Sequence, residues 1–345
     1  MFRVGIIGAG TITKRHIIGL QAIPGCEVAA VADINREAAE QRAEEFGIKD
    51  VYTDYRDLLK DDSIDAITIG TPTFVHKEIV LAAIERKKHI FCEKPVAMDA
   101  AEVKEIKAAL EGTDKVFQFG MVRRYSSETA YMKKYIDSGK MGKIVCAEAV
   151  RVNRVQEKKG WFAKKALGGG VLKDEAIHHI DELLYLMGYP KILTVSAFAS
   201  YINNALPVKV NGSDAVPQDT EDVVKAFVTL DNGANLLIRT SSVLLSRRTG
   251  VYSEINGEKA GAVILPWGAP PKLEMVEVSD AYTVDEVAPE LPDINPMNAQ
   301  MAHFVDCCVN GAECITKIDE AVALTQLLDA IYESSETGKV VTINA

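Results

Sequence analysis

Two short polar stretches of this 345-residue chain carry residue types that move protons and hold charge. In HIFCEKPVA, residues 89–97, Glu93 and Lys94 stand side by side behind an apolar run, and Pro95 restricts the backbone there. In GGGVLKDEAIHHIDELL, residues 168–184, Asp174, His178 and Asp181 fall at i, i+4 and i+7, which stacks them on one face of a helix. A carboxylate beside an imidazole suits proton transfer near neutral pH, and a lysine suits stabilisation of developing negative charge. Each stretch also has a plain alternative. Lys94 could be a solvated loop lysine, and the polar stripe could be the wet side of a helix packed through Ile177, Ile180, Leu184 and Met187. The triple glycine favours function, because it lets backbone approach a ligand. No metal is expected: His178, His179 and Asp181 are ligand types, but H-E-x-x-H and cysteine-rich spacings are absent.

A third stretch, VGIIGAGTIT, places Gly8-Ala9-Gly10 where a strand turns into a helix that opens with Thr11 and Ile12. Two glycines give the tight turn and let a pyrophosphate approach the helix N-terminus. Thr13 stands where Gly or Ala is usual, so the helix should pack slightly farther from the sheet. Asp33 ends the second strand about 20 residues on, where a carboxylate accepts both hydroxyls of an adenosine ribose. It could also cap the following helix. A 2′-phosphate beside Asp33 is disfavoured by like charge. NAD is therefore the expected cofactor, with NADP left open through Arg36 as an intervening cation. Thr71, Pro72 and His76 in GTPTFVH, with Glu93 and Lys94, follow the fourth and fifth strands and should border the same cofactor.

These positions need elements to hold them. Up to about residue 122, apolar strands alternate with amphipathic helices, the pattern of a Rossmann-type doubly wound parallel sheet covered on both sides. Residues 123–345 read as an α+β domain with a large open, mainly antiparallel sheet. The stretch from about Ala269 to Pro296, rich in proline and acid, is expected to be loop, and two helical patterns close the chain.

Composition narrows the partners. A net charge of −10 argues against nucleic acid and anionic membranes. No apolar run approaches the roughly 20 residues that span a bilayer. The first residues run straight into a strand, leaving no room for a signal peptide. Six cysteines without a C-x-x-C pair fit reduced thiols in a cytoplasmic protein.

Taken in order, GIIGAGTITKRH, GTPTFVHKEIVLAAI, HIFCEKPVA, GMVRRYSS, SGKMGKI, GGGVLKDEAIHHIDELLYLMG and AIYESSETGKVV resemble the glucose-fructose oxidoreductase / inositol dehydrogenase (Gfo/Idh/MocA) family over nearly the whole chain. The E-K-P and D-x-x-x-H-x-x-D elements are more specific than the glycine loop. The resemblance implies a nicotinamide dinucleotide in the first domain and an open sheet that supports a homodimer or homotetramer in the second. It puts the family's catalytic lysine, aspartate and histidine on Lys94, Asp174 and His178. Its substrate-contacting aspartate falls on Asp181 and its arginine after the sixth strand on Arg124. His178 is then the best base for a secondary hydroxyl, Asp174 orients its ring, and Lys94 stabilises the developing alkoxide. Arg151 and Asn153, two apart on one strand, and Trp161 are candidates to line a polyhydroxylated substrate: a cyclitol, a sugar or a glycoside. The competing expectations are a non-catalytic dinucleotide sensor, which has no use for that triad, and a metal-dependent hydrolase.

Overall fold

Strands that are apolar on both faces must be covered on both faces, and the chain does this with a helix after almost every strand. The computed structural model describes residues 1–153, 160–202, 207–209, 215–265, 272–279 and 283–343. It opens with β1 (Phe2–Ile7), α1 (Thr11–Gln21), β2 (Cys26–Ala32), α2 (Arg36–Phe46), β3 (Asp50–Tyr52), α3 (Tyr55–Leu59) and β4 (Ala66–Ile69). Then follow α4 (His76–Glu85), β5 (His89–Cys92), α5 (Ala100–Leu110) and β6 (Phe117–Phe119). The six strands pair in parallel in the order β3-β2-β1-β4-β5-β6. The direction of winding reverses between β1 and β4, so their carboxyl ends form the switch point at which such sheets bind ligands. Asn35, Asp54 and Asp99 cap α2, α3 and α5 by accepting a backbone N–H. The cap of α2 is thus Asn35, not Asp33.

The chain continues with α6 (Ser127–Asp137), β7 (Ile144–Val152), a π turn at Leu172–Ala176 and α7 (Ile177–Leu186). The next strands are β8 (Ile192–Ser200), β9 (Pro207–Lys209), β10 (Ala215–Pro217), β11 (Val223–Leu230), β12 (Asn235–Ser241), β13 (Gly250–Gly257), β14 (Ala260–Ile264), β15 (Leu273–Val278) and β16 (Val284–Val287). The last elements are α8 (Pro296–Asn310), α9 (Ile318–Thr337) and β17 (Val341–Thr342). Nine strands form one sheet in the order β16-β15-β14-β13-β7-β12-β11-β8-β17, antiparallel except for β7 with β12. Its inward rows are small or branched: Ala147, Ala149, Ala226, Leu236, Ile238 and Ile255 are buried. β15 and β16 correct the expectation of loop from Ala269 to Pro296. In β15, Leu273 and Met275 are buried while Glu274 and Val276 face outward, so the acids that suggested loop occupy the open face of a strand.

Met1–Tyr125 with Asn295–Val322 makes one compact unit, and Ser126–Ile294 with Ala323–Ala345 the other. A single boundary near residue 122 does not include this return of α8 to the first unit. Packing explains it. A Cβ on Gly19 of α1 would lie 2.9 Å from Met301 Cγ, so α8 approaches α1 where the side chain is missing. Phe304 then meets Phe91 edge to face, with ring centroids 5.7 Å apart, and both are fully buried.

Candidate functional site

In the first unit, the carboxyl ends of β1, β2, β4 and β5 carry Gly8, Asp33, Gly70-Thr71 and Glu93-Lys94 in turn. Gly8 has φ +99, and a Cβ there would lie 2.9 Å from the Gly70 carbonyl oxygen, so glycine is required twice over. Gly10 starts α1 without any side-chain cap, unlike α2, α3 and α5. Its first-turn amides, with exposed Thr11 and half-buried Ile12 beside them, suit an anion. Asp33 braces this loop: Oδ2 accepts from Ala9 N at 2.7 Å and Oδ1 from Asn35 N at 2.8 Å. Thr13 packs against the backbone of Gly70. Its methyl fills the space a Gly70 Cβ would need, at 2.4 Å, so the missing third glycine is compensated across the turn.

The remaining residues of this edge divide into presented and committed groups. The Thr71 hydroxyl is buried without a hydrogen-bond partner among the described residues, as befits a group that meets a bound cofactor. Pro72 is half-buried beside it. His76 is buried, with Nδ1 2.8 Å from the Pro95 carbonyl and Nε2 2.9 Å from the Thr71 carbonyl; its part is to position the two loops. Glu93 is also committed: Oε1 meets His16 Nε2 at 2.9 Å, and Oε2 accepts from Lys94 N at 3.2 Å. Burial works to raise the Glu93 carboxyl, but the His16 hydrogen bond and charge, with Lys94, outweigh it and hold it below its ordinary value. Lys94 is half-buried at the end of β5. Arg36 is solvated and paired with Glu40 at 2.8 Å. Arg124 is buried, with Nη1 2.6 Å from Glu320 and 2.7 Å from the Ile315 carbonyl. Arg42, which the sequence did not single out, donates to the carbonyls of Ala9 and Gly10 at 3.0 and 3.2 Å.

In the second unit, Asp174 lies in the π turn and His178 in the first turn of α7, both half-buried. The wider π turn displaces Asp174 from the straight stripe that α-helical spacing implies, and such turns recur at functional sites. The stripe is not the wet side of the helix. Asp181 and Glu182 are fully buried. Asp181 accepts from the Tyr189 hydroxyl. Glu182 accepts from Thr129 and Ser253 hydroxyls, each at 2.5 Å, and Ser253 Oγ stands 2.9 Å from His179 Nδ1. This buried network was invisible in the sequence, because its members lie on three distant segments. Arg151 pairs with Glu175 of the π turn, and the Asn153 N–H donates to the Ser241 carbonyl at 2.8 Å. Trp161 stacks on Phe162 at 3.8 Å. The triple glycine serves packing: a Cβ on Gly169 would lie 2.2 Å from the Phe162 carbonyl oxygen, and one on Gly170 2.4 Å from the Glu221 carboxylate.

Comparison with known proteins splits the chain once, between residues 121 and 133. Residues 2–121 match the model described as oxidoreductase family, NAD-binding Rossmann fold, and residues 133–343 match oxidoreductase family, C-terminal alpha/beta domain. The chain belongs to the Gfo/Idh/MocA oxidoreductase family. It is an enzyme of the NAD-dependent dehydrogenase kind, and its first unit is the NAD-binding one. D-glucoside 3-dehydrogenase of Escherichia coli is 27% identical over 97% of this chain and 96% of its own length. scyllo-Inositol 2-dehydrogenase (NAD(+)) of Bacillus subtilis is 27% identical over 93% and 91%. The structure of levoglucosan dehydrogenase in complex with NADH and levoglucosan superposes with a TM-score of 0.87 at 25% identity, covering 100% of both chains. Among the described residues no helix is long and apolar enough to cross a membrane.

Proposed function

We propose that the protein oxidises a secondary hydroxyl of a cyclitol, sugar or glycoside with NAD, or reduces the corresponding ketone. The observation that carries this reading is the first unit's sheet edge, which sets Lys94 two strands from an NAD loop braced by Asp33. A glucoside, an inositol and levoglucosan, the compounds named for the relatives, are all polyhydroxylated secondary alcohols.

Bound NAD supplies the hydride acceptor. The chain's own residues do the rest. Gly8, Gly10, Thr11 and Ile12 receive the pyrophosphate, Asp33 the adenosine ribose, and Thr71 and Pro72 border the cofactor. His178 takes the hydroxyl proton, because its ordinary pKa lies near neutrality. Asp174 orients the ring. Lys94 is assigned to stabilise developing alkoxide charge. Asp181, held by Tyr189, with Arg151, Asn153 and Trp161, is assigned to the substrate hydroxyls; His76, Glu93 and Arg124 act by positioning. Arg36, paired with Glu40, leaves NAD preferred over NADP.

We further propose a homodimer or homotetramer through the open face of the nine-stranded sheet, where Phe198, Phe227, Leu237 and Val276 are exposed. Light scattering giving a monomer at micromolar concentration would remove that assignment. The function is tested by screening cyclitols, free sugars and glycosides with NAD and NADP, following reduced nicotinamide absorbance. NAD-dependent turnover of at least one class is expected. No turnover of any class, in an enzyme that binds NADH, would overturn the reading.

A further inference from the structure

Within the first unit, away from the dinucleotide edge, His303, Cys307 and Cys314 converge, with a ring nitrogen of His303 and the two Sγ atoms all within 4.8 Å of one another. His303 and Cys307 lie at i and i+4 on α8, one above the other. Gly311, with φ +73, ends that helix in a left-handed turn and sends the chain back so that Cys314 reaches the same point. We propose that these three side chains form a structural zinc site, independent of the NAD-dependent reaction.

The spacing fits the ion. Tetrahedral zinc takes nitrogen at about 2.0–2.1 Å and sulfur at about 2.3 Å, which puts bound nitrogen and sulfur roughly 3.5 Å apart and two sulfurs roughly 3.8 Å apart. His303 Nε2 stands 3.4 Å from Cys307 Sγ, so one edge of the tetrahedron already exists. The tautomer is also suitable. The Ile315 N–H donates to Nε2 at 3.2 Å, so that nitrogen is the unprotonated one, and zinc would take the lone pair in place of this hydrogen bond. Gln118 Oε1, 3.7 Å from Cys314 Sγ, or a water would complete the fourth position. Without a cation, burial pushes the Cys307 thiol up to about 12, with Cys314 adding to the effect. A bound dication reverses that local balance by supplying the charge that two thiolates need.

The site would tie α8 and its following turn to the edge strand β6. Phe119 N already donates to Thr316 Oγ1 at 3.2 Å, and the Ile315 carbonyl receives Arg124. Zinc would fix the segment that carries both contacts.

Cobalt(II) titration of the chelator-treated, untagged full-length protein reads the site directly. One equivalent should bind with tetrahedral d–d absorption and a thiolate-to-cobalt charge-transfer band, and zinc should displace it. The band should be lost in the C307S/C314S double variant and kept in Cys308→Ser, which alters the neighbouring thiol on α8. Because Cys307 is buried and its replacement could disturb folding, the wild type gives a second reading by differential alkylation. Zinc should protect Cys307 and Cys314 at least tenfold while leaving Cys146 on β7 unchanged. No charge-transfer band in the wild type, a band retained in the double variant, or equal alkylation with and without zinc would each overturn the site.

Discussion

The two glycine-rich segments look alike in sequence and do different work. Gly8 and Gly10 keep side chains out of a turn that ends at uncapped amides, an arrangement that suits an anion. Gly169 and Gly170 keep side chains out of a turn that the protein itself fills, with the Phe162 carbonyl and the Glu221 carboxylate. Glu221 is buried, and Oε1 accepts from both Leu172 N at 2.9 Å and the Tyr332 hydroxyl at 3.1 Å. A run of glycines therefore announces close approach, and only the surroundings tell whether a ligand or the chain comes close. If the second segment is packing, the chemistry of the second unit must sit in the π turn and first turn of α7 that follow it.

The strongest way to break this comparison is to remove that chemistry. His178→Asn should lower turnover roughly 10²–10⁴-fold, the usual contribution of a positioned acid-base group, while NADH affinity measured by fluorescence titration stays unchanged. Lys94→Met should also cripple turnover, through lost alkoxide stabilisation. Near-normal turnover in His178→Asn, with a substrate the wild type oxidises, would return Lys94 as the leading base.

A smaller effect separates the glycines. Gly170 has φ +123, so Gly170→Ala adds backbone strain to a clash with Glu221, and a loss of about 1–3 kcal/mol in denaturant unfolding is expected. NADH affinity should not change. Gly8→Ala should instead weaken NADH binding as well, because its loop must approach the pyrophosphate. Weaker NADH binding in Gly170→Ala at full stability would mean that the two segments are not different after all. On the same loop, Asp33→Ser should raise NADP use relative to NAD, since the carboxylate opposes a 2′-phosphate. An unchanged ratio of kcat/KM for the two cofactors would remove Asp33 from the selectivity argument.

What could be read from the sequence follows from how local each signal is. The parallel sheet was legible because each strand and its helix carry their own period, and the glycine loop and Asp33 fall at fixed offsets from one strand. The return of α8 was not, since it depends on Met301 meeting Gly19 across nearly the whole chain. The zinc cluster escaped for a related reason: H-x-x-x-C with a cysteine seven residues further on matches no familiar ligand spacing until the Gly311 turn is known. His76 and Glu93 show a third limit. Sequence assigns them to the cofactor edge, but only the carbonyls of Thr71 and Pro95 and the ring of His16 reveal that they hold two loops together. Asp181 shows the converse, a residue on an apparently polar stripe that turns out to be buried.

His76 provides the smallest effect and the most direct check on its positioning part. Burial lowers its pKa from the ordinary 6.5, and the nearby Lys94 charge adds to this; the two carbonyls and Glu93 pull the other way without prevailing. The folded state therefore holds the ring neutral where the unfolded chain already binds a proton. Its contribution to stability is complete above about 6.5 and is lost as pH falls through the lowered folded value. His89 and His303 are also shifted downward by burial, so the wild type alone cannot isolate the effect. His76→Gln keeps one amide donor for a carbonyl and removes the titration. Urea midpoints measured at several pH values from about 8 down to about 5.5 should fall less steeply in His76→Gln than in the wild type. Equal slopes would mean that His76 does not resist protonation, and that the ring is charged and donating to both loops.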